Sequence, residues 1–575
     1  MDSQTLSLLS TLLFVFFAAL SGGSIAHVLR LPMFLGYIGM GLLVGTAVGP
    51  YLNTPFLTMI ADVGVTLLLF TLGLEFSFHR LKKIMSTILW AAVVQIVGTT
   101  FIMFLLLLLL GFAVLPALFI GVACALSSTE IVIKVLSEKG ELETVPGEVL
   151  TGWLVIQDLS VIPIMMLLPA ITGTFLSGSA TVASTASIIG INLLKSSVAL
   201  FLVFFLGRVG VPRILNKVAE LRNKEIFLVA TVGFVFMSAI VTYAFGLSAG
   251  LGAFLAGLLI AETAEHHAVF AEIRPLRDVF SVVFFVSLGM TLSIGSIMSS
   301  WQTLLLLVIV LFIGKFFIVY ILSRFLGYHR KTAFLVGAGL LQISEFGFII
   351  AKEGLNLSAL TNQEYTLLIA LVIVAIFGSV PITAHGSDLY YRCMRFLGKR
   401  WKKFFLDTKD ETTEYAVPIE KHIIICGYGR VGKYIGRALQ MANIPFVVID
   451  YNHATALSLR QKSIDVVYGD PADINVLEVG QVKTARALII AIPDRHTQEL
   501  IISNALTLNR NIKIICRTHH EEDQAALKLL GVTTIVQPEF EAALSIINKL
   551  LPDYGVTPEE LSGKVSRLKI EHGLG

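Results

Sequence analysis

Gln157 and Asp158 sit side by side in WLVIQDLSVIP (residues 153–163), in the middle of a long apolar run. A carboxylate at membrane depth is costly and usually functional. If it is tuned near the working pH, it can hold a proton or a cation but not comfortably both. That competition is the chemistry an exchanger needs. Gln157 offers an amide oxygen to a cation, or a hydrogen bond to interrupted backbone, without adding a second titrating charge. Ser127, Ser128 and Thr129 can supply the further oxygens that a hard monovalent cation requires. Glu130, Lys315 and Glu345 are the other ionisable groups placed well inside apolar runs, with Glu75 nearer an end.

A second set lies in KHIIICGYGRVGKYIGRALQMANIPFVVIDYN (421–452). Gly427, Gly429 and Gly432 form GxGxxG between a predicted strand and a predicted helix, with Arg430 and Val431 between the glycines. The first two allow a tight turn and close phosphate approach, and the third lets helix pack on strand. The helix N-terminus then faces the phosphate. Asp450 ends the next strand, where its carboxylate suits ribose hydroxyls. Strand, helix and acid agree, so this is a nucleotide-binding signature and not a stray motif.

Two kinds of chain must position these sets. The protein has 575 residues, 55% hydrophobic and 14% charged, against about 25% charged in soluble domains. Apolar runs fill residues 1–386, and beyond about Tyr390 the composition is that of a soluble domain. With spans of roughly 20 apolar residues, thirteen candidates emerge: 5–28, 33–50, 55–76, 85–111, 113–136, 147–171, 186–209, 225–244, 247–262, 276–294, 301–324, 331–352 and 363–386. The first lacks the basic start and cleavage site of a signal peptide and reads as a span. Lys and Arg collect after odd-numbered spans, from Arg30 to the cluster Arg392–Lys403, and almost vanish after even ones. Basic loops stay cytoplasmic, so the N-terminus is expected outside and the C-terminal domain inside.

FIGVACALSSTEIVIKVLSEKG (119–140) and FLVGAGLLQISEFGFIIAKEG (334–354) resemble each other, with a polar interruption in mid-span. They fall in spans of opposite direction, the fifth and twelfth. That pattern implies inverted repeats, and matching interruptions point to a transporter's binding site. Asp158 follows the first interrupted span and Lys315 precedes the second. After the glycine motif, DVVYGD, RALIIAIPD, IKIICRT and TTIVQP complete a doubly wound sheet. His519–Asp523 reads as a solvated helix start, not a metal site. Cys124, Cys393, Cys426 and Cys516 form no CxxC and read as reduced thiols. A net charge of +3 gives no ground for a nucleic-acid partner.

Through LLLFTLGLE (67–75), ALSSTE (125–130), QD (157–158), GLSAGLGAFLAGLLIAET (246–263), FFVSLGM (284–290) and QISEFGF (342–348), residues 10–386 resemble the monovalent cation:proton antiporter-2 family. GYGRVG and LKLLGVTTIVQPE (527–539) make the soluble part similar to TrkA-N or RCK regulatory domains, in the order of the Kef potassium-efflux systems. The resemblance implies a homodimer in a bacterial inner membrane, with separate dimerisation and core regions and two crossed broken helices. It implies that Asp158 carries the ion, that Gln157 replaces a second acid of electrogenic relatives, and that Lys315 is the core's basic residue. It also implies AMP, ATP or NAD(H) as a regulatory ligand on Gly427, Gly429, Gly432 and Asp450, with Asp470 and Arg517 as weaker carry-overs. Glutathione-gated Kef members carry an acidic loop of the type HALESDIEPFKG; here HAVFAEIRPLRD (267–278) loses most of its acids and adds Arg274.

The expected protein is a polytopic all-α membrane domain with about thirteen spans (1–386), a basic linker (387–420), an α/β Rossmann-like domain (421–551) and a tail (552–575). The expected activity is secondary antiport of K⁺, or Na⁺, at Asp158 against protons, without enzymatic or redox chemistry and without a redox cofactor. The alternative is a ligand-gated K⁺ efflux channel, although no TVGYG-type filter is present.

Overall fold

The computed structural model describes residues 3–29, 31–48, 54–75, 78–142, 144–176, 205, 207, 210–218, 220–221, 223–245, 248–263, 265–396, 421–518 and 522–571. Most of the seventh expected span, residues 397–420 of the expected linker, and His519–Glu521 lie outside them. The chain divides into two compact units. One comprises Met1–Ile131, Gly152–Lys315 and Leu341–Val380; the other comprises Val132–Thr151, Phe316–Leu340 and Pro381–Gly575.

The apolar runs are helices because a chain in hydrocarbon must satisfy its own backbone. In order they are α1 (Ser3–Val28), α2 (Met33–Val48), α3 (Thr54–Glu75), α4 (Phe78–Leu109), α5 (Val114–Ala125), α6 (Thr129–Glu138), α7 (Val145–Leu176), α8 (Lys224–Ala244), α9 (Ala249–Ala261), α10 (His266–Met290), α11 (Ile294–Ser299), α12 (Trp301–Phe325), α13 (Arg330–Gly339), α14 (Phe346–Asn356) and α15 (Asn362–Ala384). Among the described residues, eight segments are long and apolar enough to cross a membrane, with α2 and α9 as shorter apolar helices. The α5–α6 pair counts as one such segment, Val114–Glu138.

Within the first unit the helices form two groups. α1, α2, α3, α8, α9 and α10 pack through small residues. A Cβ on Gly41 of α2 would stand 2.2 Å from the Val286 carbonyl oxygen of α10, and one on Gly289 would stand 2.1 Å from that of Ile38. Gly73 and Gly257 make the same reciprocal approach between α3 and α9, at 2.2 and 2.0 Å from the Phe254 and Phe70 oxygens. Small residues let membrane helices bring their backbones together. The second group is α4, α5, α7, α12, α14 and α15, around buried Phe119, Ile120, Phe346, Phe348, Ile369 and Leu371.

Two helices in that group begin or end at a break. α5 stops at Ala125, Leu126 is extended (φ −85°, ψ 145°), and α6 starts at Thr129. α13 stops at Gly339 and α14 starts at Phe346. Both fall in the polar interruptions read from sequence.

The second unit continues with α16 (Gly386–Phe396), β1 (Ile423–Cys426), α17 (Arg430–Met441), β2 (Phe446–Asp450), α18 (His453–Gln461), β3 (Val466–Tyr468), α19 (Ile474–Val479), β4 (Ala487–Ile490), α20 (Arg495–Leu508), β5 (Lys513–Arg517), α21 (Glu522–Leu529), β6 (Thr534–Val536), α22 (Pro538–Leu550) and α23 (Pro558–Glu571). The six strands are parallel, in the order β3-β2-β1-β4-β5-β6. Connectivity reverses between β1 and β4, which opens a crevice at their carboxyl ends. Two segments differ from the sequence reading. The start of the expected linker is α16, whose buried Tyr390 packs edge-on against Phe334 of α13 at 5.5 Å. The expected tail contains α23, with Glu559 and Glu560 in its first turn and Lys569 in its last, a charge order that favours a helix.

Candidate functional site

The two breaks meet. The Ser344 N–H donates to the Leu126 carbonyl at 3.1 Å, tying one interruption to the other. Lys315 of α12 is fully buried beside them. Its Nζ donates to the carbonyls of Cys124 (3.0 Å), Leu126 (3.0 Å) and Gln342 (2.9 Å). An ammonium has three donors, and all three are used on backbone that helix termination leaves without partners. Carbonyls of the two breaks thus share one cation. At the opposite ends of the breaks, Glu130 lies in the first turn of α6 and Glu345 is the N-cap residue of α14. Each half-helix dipole is met by a charge of the sign that stabilises it. Glu130 is exposed; Glu345 is half-buried and accepts from the Ser344 hydroxyl at 3.3 Å.

Asp158 projects from α7 to the same place. Thr129 Oγ1, at the start of α6, donates to Asp158 Oδ2 at 2.6 Å. The carboxylate is half-buried, whereas Ser127, Ser128 and Gln157 are fully buried. The structure therefore brings Asp158, Thr129, Ser127, Ser128, Gln157 and Lys315 around one pair of breaks.

Gln157 does not offer its oxygen to this space. Its Oε1 accepts from the Ser127 N–H at 2.9 Å, and its Nε2 donates to Gln95 Oε1 at 2.5 Å. Gln95, from α4, also accepts from Trp153 Nε1 at 3.2 Å and donates to the Ala125 carbonyl at 2.9 Å. Two amides and an indole thus hold the end of α5 open. Gln95 was missed in the sequence reading, although a glutamine deep in an apolar span was a visible signal. Gln342 was quoted only within a motif; its Nε2 donates to the Ser128 carbonyl at 3.3 Å, joining the breaks a second time.

In the second unit, a cavity of about 410 Å³ opens over the glycine motif. Gly427, Gly429, Arg430, Val431, Asp450 and Arg517 all line it. Gly427 adopts φ +89°, and among the described residues nothing beyond the chain neighbours lies within 4 Å of a Cβ built on Gly429. Gly432 is a packing residue instead: its Cβ would stand 2.2 Å from the Gly427 oxygen. Asp450 accepts from the N–H groups of Tyr428 and Asn452, both at 2.7 Å. Burial pushes its carboxyl up, against the pull of those N–H groups and Lys433.

Asp470 is not among the residues lining this cavity. It is buried, 3.8 Å from Lys331 Nζ, and accepts from the Tyr391 hydroxyl (2.9 Å) and the Ala472 N–H (3.0 Å). Burial alone pushes its carboxyl up, but Lys331 and these hydrogen bonds hold it below the usual carboxylate range. Lys331 also donates to Tyr391 (2.7 Å) and Thr497 (2.8 Å). The first turn of α13 is thereby fastened to the nucleotide-binding sheet, a link no local motif announces.

Residues 12–385 match the family described as sodium/hydrogen exchanger, transmembrane, and residues 423–538 match the TrkA-N domain. YbaL of Escherichia coli, whose name describes a cation/proton antiporter, is 29% identical over 92% of this chain and 94% of its own. KefC of Klebsiella pneumoniae, named a glutathione-regulated potassium-efflux system protein, is 28% identical over 95% of this chain and 84% of its own. The crystal structure of the TrkA-N domain of Escherichia coli YbaL covers 23% of this chain and 99% of that one, at 30% identity and a TM-score of 0.23. The exchanger match takes in more than half of the chain, both breaks, Asp158 and Lys315: the chain belongs to the transmembrane sodium/hydrogen exchanger family and carries a TrkA-N domain behind the exchanger.

Proposed function

We propose that the protein exchanges K⁺ for protons, one for one, by alternating access, under the control of an adenine nucleotide. The observation that carries this is Asp158 at the meeting breaks with Thr129 donating to it, while Glu130 and Glu345 sit at helix starts, where the helix dipoles hold them as fixed charges. A site with one carrier acid holds one charge at a time, so each half-cycle moves either a proton or a cation and no net charge. Gln157 supports this reading because its amide is spent on Ser127 and Gln95 and cannot titrate. Ser128 supports a cation, since its buried hydroxyl has no hydrogen-bond partner among the described residues. K⁺ is preferred over Na⁺ because KefC is named for potassium efflux. The glycine turn and Asp450 support the nucleotide. The charge pattern of the loops supports an N-terminus outside and a cytoplasmic nucleotide-binding domain. The glycine-packed helix group is the part that would form a homodimer in the bacterial inner membrane, leaving the broken helices to move.

The test is pH-gradient dissipation by purified protein in proteoliposomes, titrated with K⁺ and Na⁺. Asp158→Asn is expected to abolish exchange with both cations. Residual cation-driven proton movement in that variant would refute the carrier role. A rate that rises steeply with imposed voltage would refute one-for-one exchange.

A further inference from the structure

The cavity over the glycine turn is not lined by the nucleotide-binding domain alone. Gly140, Glu141 and Thr144, from the loop joining α6 to α7, and Lys331, from the first turn of α13, complete its wall. By sequence these residues belong to the exchanger match, not to the TrkA-N match. Thr144 folds the loop back on itself: its Oγ1 donates to the Glu141 carbonyl at 2.6 Å, and its N–H reaches the same oxygen at 3.0 Å. That turn holds Glu141, half-buried, at the cavity.

We propose that the regulatory site is composite, and that Glu141 on the exchanger loop faces the phosphate-bearing ligand held by the glycine turn and sets its affinity by charge. This rests on the nucleotide reading above. Lys139, Lys331 and Asp494 act on Glu141 directly, and charged groups line the cavity it borders from every wall. Lys139 and Glu148 flank it on its own loop and α7. Lys331 comes from α13, Arg430 and Lys433 from α17, Asp450 from the end of β2, Asp494 from the start of α20, and Arg517 from β5. Lys331 is already committed to Asp470. A phosphate entering between these groups meets a carboxyl that burial has pushed up to about 7, with Asp494 raising it and Lys139 and Lys331 lowering it. The added negative charge raises it further, so binding takes up a proton. The sign follows: affinity is greatest below pH 7, with Glu141 neutral, and falls as pH rises and the carboxylate must be ionised beside phosphate.

The experiment is equilibrium binding of AMP and of NADH to the full-length protein in detergent between pH 6.0 and 8.5, for the native chain, Glu141→Gln and Glu141→Asp. The dissociation constant of the native chain is expected to rise about tenfold across that range, a shift of about one pKa unit on binding. Glu141→Gln should keep the low-pH affinity at pH 8.5, and Glu141→Asp should restore the slope. Free AMP titrates identically in all three experiments, and the NADH phosphates do not titrate there, so the NADH profile isolates the contribution of Glu141. Equal pH profiles for the native chain and Glu141→Gln, with ligand bound, would overturn the composite site and leave the nucleotide reading standing. Failure of the native chain to bind AMP or NADH at any pH would overturn both.

Discussion

Gln157→Glu keeps the shape of the side chain and turns one donor into an acceptor. The oxygen facing the Ser127 N–H is unaffected, but the atom 2.5 Å from Gln95 Oε1 becomes a second acceptor. Gln95 cannot turn its amide to compensate. Its oxygen receives the Trp153 indole N–H, and its nitrogen donates to the Ala125 carbonyl. Turning would set donor against donor and oxygen against oxygen in a fully buried place. The loss is two hydrogen bonds, to Gln95 and to the Ala125 carbonyl at 3.4 Å, about 1 kcal/mol net each, plus one orphaned buried acceptor, about 1–3 kcal/mol, or about 3–5 kcal/mol in all. For a large helical unit this lowers the unfolding midpoint by about 3–8 °C. Two measurements check it: the thermal midpoint of purified protein, and proton movement in proteoliposomes at several imposed potentials. The expected variant is destabilised and still insensitive to voltage, because its new acid faces Gln95 and not the ion. A variant that melts with the native protein and becomes voltage-driven would refute both the network and the role given to Gln157.

Two further substitutions separate scaffold from ligand chemistry. Lys315→Met removes three charge-assisted bonds to carbonyls, offset by the relief of burying a charge. It should cost about 3–6 kcal/mol and show as a large fall in melting midpoint together with lost exchange; an unchanged midpoint would mean that the breaks do not depend on this cation. Gly429→Leu places a Cβ where, beyond its chain neighbours, no atom of the described residues lies within 4 Å. It should leave stability within about 0.5 kcal/mol while reducing nucleotide affinity about 100-fold, read by thermal melting and by AMP or NADH titration.

Much of the candidate site is legible in the sequence. The GxGxxG turn and Asp450 are local features, so strand, turn and helix can be read from some thirty consecutive residues. Asp158 and Lys315 were visible because charge is rare at membrane depth, and the two interruptions because polar residues there need a reason. The direction of the Gln157 amide was not visible. It depends on Gln95, 62 residues earlier, which matters only once α4 and α7 lie together. Asp470 is the same lesson. Its place after β3 suggests a ligand residue, but packing gives it to Lys331 and Tyr391 from distant segments. Glu141 had no motif at all and acquires its setting from the Thr144 turn.

The reciprocal glycines of α2 with α10 and of α3 with α9 have a mechanical consequence. Where a carbonyl oxygen occupies the place of a methyl group, adjacent helices have no slack in which to tilt or slide. Such a layer behaves as a chassis: strain applied at one edge is carried across it without being absorbed. On the alternating-access reading proposed above, motion within the first unit falls at the seam with the broken-helix group, because these packed pairs leave it no room.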